Sequence, residues 1–254
     1  MKKRLVAAML VFGLAAGAAS ADILTFKMGY FAPRLTGDFW DIEFENMTYK
    51  KSSFQDASIG IHYELFLSRT FSLTIGADIF RKNKAALYQD VVGYSLADGD
   101  YAFPADEFRG QFELKHSITL ASAPIQLSFK WVPLGRRGNL IPYLGGGVHA
   151  MIWNIRMQGD MVDFGDEYIY EDPWGTVFVY PIYSVYAEES EGLGRVSFGW
   201  QAFGGLMIPF GTRMTADVGV KYLSCPVEFA NAFQGFEAGD AGGLIVFAGI
   251  NYWF

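Results

Sequence analysis

The sequence predicts an all-β fold: a transmembrane, antiparallel, up-and-down β-barrel of eight strands, with ten as the alternative. Three observations carry that prediction. Apolar and polar residues alternate with a period of two in segment after segment beyond residue 21. The connections between segments are short and long by turns, as on the two rims of a membrane barrel. The apolar face of the alternating segments holds no Asp, Glu, Lys or Arg, and His116 is its only residue that titrates near neutral pH. A soluble β-sandwich or lipocalin-like barrel also alternates, but its polar face would be the outer one.

The elements follow in order. Lys2, Lys3 and Arg4, an apolar run from Leu5 to Ala18, and Ala19-Ser20-Ala21 read as a cleavable secretory signal over residues 1–21. The barrel is expected to occupy 22–254. Removing the leader leaves 233 residues and takes the formal net charge from −7 to −10. Leu24, Phe26, Met28 and Tyr30 share the first outer face, opposite Thr25, Lys27 and Gly29. Ala57 to Leu65 gives the second strand and Phe71 to Ile79 the third. The fourth starts on Phe112, Leu114, Ile118 and Leu120; its parity is expected to shift at a bulge near Ala121–Pro124, so that Ile125, Leu127, Phe129 and Trp131 continue the same face. Leu144 to Ile152, Phe198 to Ile208, Met214 to Tyr222 and Leu244 to Phe254 complete eight. A further hairpin, Glu167–Tyr170 with Thr176–Tyr180, would raise the count to ten.

Composition narrows the class. With 51% hydrophobic and 19% charged residues, the chain has enough apolar surface to fold. Its 29 Gly, 23 Phe, 14 Tyr and 6 Trp do not suit a helix bundle. No apolar run long enough for a transmembrane helix follows Asp22. A net charge of −7 gives nucleic acid no electrostatic footprint. One cysteine, Cys225, allows neither a disulfide framework nor a multi-cysteine zinc site.

The last strand ends in Tyr252-Trp253-Phe254, with apolar residues at every second position back to Leu244. This resembles the C-terminal signal by which barrel-assembly machinery recognises outer-membrane barrels. Pro142-Tyr143-Leu144-Gly145-Gly146-Gly147-Val148 and Gly29-Tyr30-Phe31-Ala32-Pro33 resemble stretches of small Gram-negative outer-membrane proteins of the OmpA-transmembrane, OmpX and OmpW type. The resemblance implies the bacterial outer membrane, a monomer among lipid and lipopolysaccharide, and that assembly route. An OmpW-like resemblance further implies a porin-like conduit for small apolar molecules. No motif carries over an activity.

The polar face supplies the candidate functional residues: Lys27, Lys115, Lys130 and Lys221 against Glu64, Asp78, Glu113 and Asp217. Eight strands enclose a bore about wide enough for side chains alone. Charges in such a space need partners, so these eight are expected to form an ion-pair network that fills the lumen. The four long connections hold 21 acids and 6 bases; the third holds nine acids and no base, among Tyr168, Tyr170, Trp174, Phe178, Tyr180, Tyr183 and Tyr186. That pattern offers an acidic, aromatic surface for binding. The basic turn residues Arg69, Arg136, Arg137 and Arg213 would face phospholipid headgroups. No catalytic residues, cofactor or metal site are expected. His116 and Ser117 point to opposite faces, and no HExxH, GxSxG or phosphate-binding loop is present.

Overall fold

The computed structural model describes residues 22–172, 175–185, 190–191, 196–229 and 235–254. The expected leader, and Trp174, Tyr186, Glu188 and Glu189 of the third loop, lie outside them. β1 (Ile23–Pro33) leads into α1 (Asp38–Asn46) and a 3₁₀ turn at Lys51–Phe54, followed by β2 (Asp56–Phe66) and β3 (Phe71–Leu87). β4 (Val91–Leu96) and β5 (Gly99–Pro104) form a hairpin before β6 (Lys115–Trp131) and β7 (Ile141–Val162). β8 (Tyr168–Asp172), β9 (Gly175–Val185) and β10 (Ser190–Glu191) precede β11 (Val196–Pro209) and β12 (Met214–Ser224). The short β13 (Pro226–Val227) and β14 (Gly239–Asp240) pair with each other before β15 (Gly243–Trp253).

Eight of these strands close a barrel in the order β1-β2-β3-β6-β7-β11-β12-β15, every pair antiparallel. Closure runs from Ile23↔Trp253 to Pro33↔Gly243. The tight turns and the last strand end lie at one rim, here the turn end; α1, the β4–β5 hairpin and the β8–β9 hairpin lie at the other, the loop end. The wall is uneven. β1, β2, β12 and β15 have 11 residues each, β3 and β6 have 17, and β7 has 22. At ~3.3 Å per residue, β7 is longer than a tilted membrane crossing of 9–11 residues needs.

The expected extra hairpin is present, with Tyr168↔Val179 through Asp172↔Gly175. It prolongs the β7 edge beyond the barrel, where Gly159–Val162 already pairs with 182–185, so the closed wall keeps eight strands.

The outer surface is apolar where the alternation placed it. Phe26, Met28, Ile59, Ile75, Ile79, Leu127, Phe129, Leu144, Val148, Phe198, Val218, Val246 and Ile250 all face outward and exposed. On β3 this belt runs from Phe71 to Ile79 and ends at Arg81; on β7 it ends at Ile152, before Asn154 and Arg156. Nine residues of tilted strand match an apolar band about 25 Å tall.

The bulge expected at Ala121–Pro124 is absent. β6 keeps one register with β7 from His116↔Gly159 through Pro124↔Met151 to Trp131↔Leu144. Its even-numbered residues face inward throughout. What changes at Ala121–Pro124 is the chemistry of the interior, from Gln126, Ser128 and Lys130 to Leu120, Ile118, His116 and Leu114.

Candidate functional site

The interior divides into two stacked layers. In the turn half, alternation directs polar side chains inward from every strand, and most are buried. Two charged centres form there. Asp78 Oδ2 accepts from Lys221 Nζ at 2.6 Å and from Gln126 Nε2 at 2.5 Å; its Oδ1 lies 3.0 Å from His62 Nε2. Lys221 Nζ also donates to Gln126 Oε1 at 2.8 Å. Glu64 is held by Lys130 Nζ at 2.8 Å, Ser72 Oγ at 2.6 Å and Arg136 Nη2 at 3.2 Å. Asp217 links toward both: Tyr143 donates its hydroxyl at 2.6 Å and Lys27 Nζ lies 3.5 Å away. Lys130 sits over the Tyr143 ring and Lys27 over the Phe247 ring, each 4.1 Å from the centroid. Each of these charges thus has an opposite charge and at least one further polar or aromatic contact, the condition under which such groups are tolerated in a low dielectric.

Six of the eight expected lumen residues are therefore brought together: Lys27, Glu64, Asp78, Lys130, Asp217 and Lys221. Glu113 and Lys115 are not. Both are exposed at the loop end of β6, because that strand's inward face is the even-numbered one there too. His116, expected on the lipid face, points inward for the same reason. Arg136, expected to face headgroups, turns into the barrel mouth at the turn end. Its Nη1 donates to Ser68 O at 3.0 Å and Arg69 O at 2.7 Å, and its guanidinium lies 4.0 Å from the Phe66 ring centroid. It ties two turns together across the rim and joins the Glu64 centre. The cavity left between Thr25, His62, Thr74, Lys130 and Phe203 is about 20 Å³, room for about one water.

The loop half is closed by hydrocarbon. Phe31, Phe80, Ile118, Leu120, Met151, Trp153, Ile155, Leu223, Ile245 and Phe247 point inward from the wall. α1 enters this mouth with Phe39, Trp40 and Glu43 on one face, the i, i+1, i+4 spacing of a helix stripe. Gly37, at φ 111°, makes the turn that admits it. Trp40 packs on Phe54 at 5.2 Å, Phe39 on Phe236 at 5.4 Å, and Phe31 on Phe80 at 4.7 Å. Asp38 Oδ1 accepts from the backbone of Glu237 at 2.8 Å, linking the first loop to the fourth. The residual space between Phe31, Leu35, Trp40, Trp153 and Phe229 is again about 20 Å³.

One polar group is buried in this layer. Glu43 of α1 accepts from the Tyr49 hydroxyl and lies 2.8 Å from His116 Nε2, fastening the helix to β6. Burial, and then the Glu43 carboxylate, hold the Tyr49 hydroxyl well above the usual phenol range. Sequence reasoning missed this trio because Glu43 and Tyr49 lie in a loop without strand periodicity. Cys225 is buried at the same level, and burial pushes its thiol up to about 11, which opposes thiolate reactivity.

The C-terminal aromatics divide by parity. Tyr252 and Phe254 face outward with their rings 5.2 Å apart, while Trp253 turns in and donates to Thr215 Oγ1 at 3.3 Å. Among the described residues, no three His, Cys, Asp or Glu converge as a metal site would need, and no helix is long and apolar enough to cross a membrane.

No family model matches the chain, and no curated protein matches it. It is similar in structure to the N-terminal β-barrel domain of Pseudomonas aeruginosa OprF, at 9% identity and a TM-score of 0.39 over 92% of this chain and all of that one. It is similar to Ail, the attachment invasion locus protein of Yersinia pestis, at 10% identity and a TM-score of 0.42 over 92% and 100% of the two chains. The Escherichia coli outer membrane protein W matches at 10% identity and a TM-score of 0.38 over 93% and 100%. The fold assigned to this chain rests on its own strand pairing: a closed, antiparallel, eight-stranded barrel.

Proposed function

We propose that this chain is a monomeric barrel of the bacterial outer membrane, embedded among lipid and lipopolysaccharide, with a structural role in the envelope. The membrane reading is supported by the uncharged outer belt of large, exposed apolar side chains. One observation carries the structural role over the conduit: the interior is sealed twice, by ion pairs at the turn end and by α1 and aromatic rings at the loop end. A small apolar permeant would meet an accepting layer first and a charged layer next, so the conduit needs both to move. Planar-bilayer recording tests this. The expected record shows no steady current; a large steady current from the wild-type protein overturns the structural reading.

The aromatic alternation of β15, ending in Tyr252-Trp253-Phe254, is the segment we assign to recognition by barrel-assembly machinery. Phe254→Asp is expected to prevent accumulation in the outer membrane, and normal accumulation removes the assignment. A non-enzymatic role is supported by the three histidines. His62, His116 and His149 are all nine-tenths or more buried inside the barrel, away from the lipid-facing rim. Unchanged lipid A mass spectra in a deletion strain are expected; a lost modification makes the protein a lipid-modifying enzyme.

A second reading, a surface binding module, is favoured by the loop end. There β7, β8 and β9 rise beyond the belt and expose Ile169 at 65% and Phe178 at 50%, where lipid does not cover them. Exchanging residues 163–180 for a short Gly-Ser turn tests it. The barrel is expected to fold and to lose surface binding to its partner; a strain indistinguishable from wild type in every envelope and adhesion assay removes the reading.

A further inference from the structure

One face of the sheet that stands above the barrel carries a row of tyrosines. Its register shows which residues share that face. Tyr101 lies opposite Pro181, Tyr183 opposite Met161, and Tyr168 opposite Val179. Positions 179, 181 and 183 alternate along β9, so Tyr101, Tyr168 and Tyr183 project from one side. Tyr168 and Tyr183 are 46% and 51% exposed. Beside them on the same face Phe103 is buried against Tyr94 at 4.9 Å, Phe108 at 5.1 Å and Tyr170 at 5.3 Å. The exposed rings therefore border a packed aromatic cluster. Tyr101 and Tyr168 meet edge to face at 5.7 Å.

The charge around this face is one-sided. Tyr101 donates to Asp98 at 3.3 Å and Tyr168 to Asp166 at 3.3 Å, so a carboxylate borders each ring. Residues 88–110 and 160–185 together hold eleven Asp and Glu and one base, Arg109. The Asp166 carboxylate raises the pKa of the exposed Tyr168 hydroxyl, as a negative local potential requires. These acids are spread along the sheet, and among the described residues none form a metal-binding trio. A spread of carboxylates beside open ring faces suits organic cations, which gain from both the charge and the ring quadrupole. A second copy of this chain would bring the same acids and be repelled.

We propose that the Tyr101–Tyr168–Tyr183 face, flanked by Asp98 and Asp166, docks a lysine- or arginine-rich segment of a partner protein. The inference rests on the binding-module reading and names its partner. Full-length protein in phosphatidylcholine nanodiscs is titrated into a fluorescent octalysine peptide, with octaglutamate as the opposite-charge control, and read by anisotropy. Octalysine is expected to bind and octaglutamate not to. Tyr101→Ala, Tyr168→Ala and Tyr183→Ala each weaken binding by about three-fold. Asp98→Asn with Asp166→Asn weakens it further and flattens its salt dependence, while Glu237→Gln in the fourth loop changes nothing. Peptide binding that is indifferent to all three tyrosines means diffuse attraction to acidic loops, and removes this face while the binding-module reading stands. Wild-type protein that ignores octalysine overturns the cationic partner and leaves that reading to the 163–180 exchange. Displacement of octalysine by an equimolar divalent cation identifies a metal site and overturns the proposal.

Discussion

On β3, Asp78 and Phe80 both point into the barrel, two residues apart, and they belong to opposite chemistries. Asp78 closes the turn half with Lys221, His62 and Gln126; Phe80 closes the loop half against Phe31. Both layers leave about the same residual space, but they respond differently to damage. A charged layer fails when one partner goes, because the survivor is left with an uncompensated charge in a low dielectric. An apolar layer fails by degrees, with the volume removed. Opening the lumen from the turn end alone therefore does not make a pore, since α1 and its rings remain above. Reading the eight inward charges from the sequence leads one to expect that Asp217→Ala or Lys221→Ala raises conductance; with the loop-end seal in place, either change alone should leave it low.

The comparison can be broken most readily at Asp78. Asp78→Ala takes from Lys221, Gln126 and His62 the carboxylate they share, and should cost about 3–5 kcal/mol. Urea unfolding in phosphatidylcholine vesicles measures it, and a cost below about 1 kcal/mol would mean that water already penetrates the charged layer. The exterior supplies the next contrast. Val218 faces outward on β12, and Val218→Arg should cost about 2–4 kcal/mol near the bilayer midplane. Thr215→Ser, on the inward face of the same strand, keeps its hydroxyl for Asn251 and Trp253 and should cost far less. Equal effects in the same unfolding assay would reverse the faces of β12.

A graded response is expected in the apolar layer. Ile118→Val removes one methylene from a fully buried site and should cost about 1 kcal/mol without changing conductance. A loss as large as that of Asp78→Ala would show that the aromatic layer is as brittle as the ionic one. The smallest effect is kinetic. Cys225 should react slowly with a maleimide at pH 8 in the folded barrel, and faster as pH rises toward about 11. Because folding raises this pKa, its share of stability is present below the usual thiol range and fades as pH rises through about 11. Labelling at pH 8 as fast as in urea would mean that the mouth is open.

Much of the wall was legible because a strand half-exposed to lipid must alternate, and Phe71 to Ile79 or Met214 to Tyr222 do so without interruption. Six of the lumen residues were legible for the same reason: between apolar outward neighbours, Lys27, Glu64 or Asp217 had one way to point. β6 misled because its two faces exchange character along its length. In the turn half its outward residues are apolar, Ile125 to Phe129; in the loop half the inward ones are, Leu114 to Leu120. Hydropathy alone reads that exchange as a shift in register, and the misreading carried Glu113, Lys115 and His116 to the wrong sides.

From its own pattern, the chain specifies eight crossings, their faces and the charges of the turn half, since these follow from period-two geometry and the contrast between lipid and lumen. Tertiary structure alone decides that α1 fills the mouth, that Glu43 meets His116 across 73 positions, and that Arg136 folds in to reach Glu64. Those contacts join loops to walls over long separations, and no local periodicity encodes them. They form because a closed barrel presents an apolar mouth that the nearest apolar segment must cover, and buried charges that the nearest cation must pair.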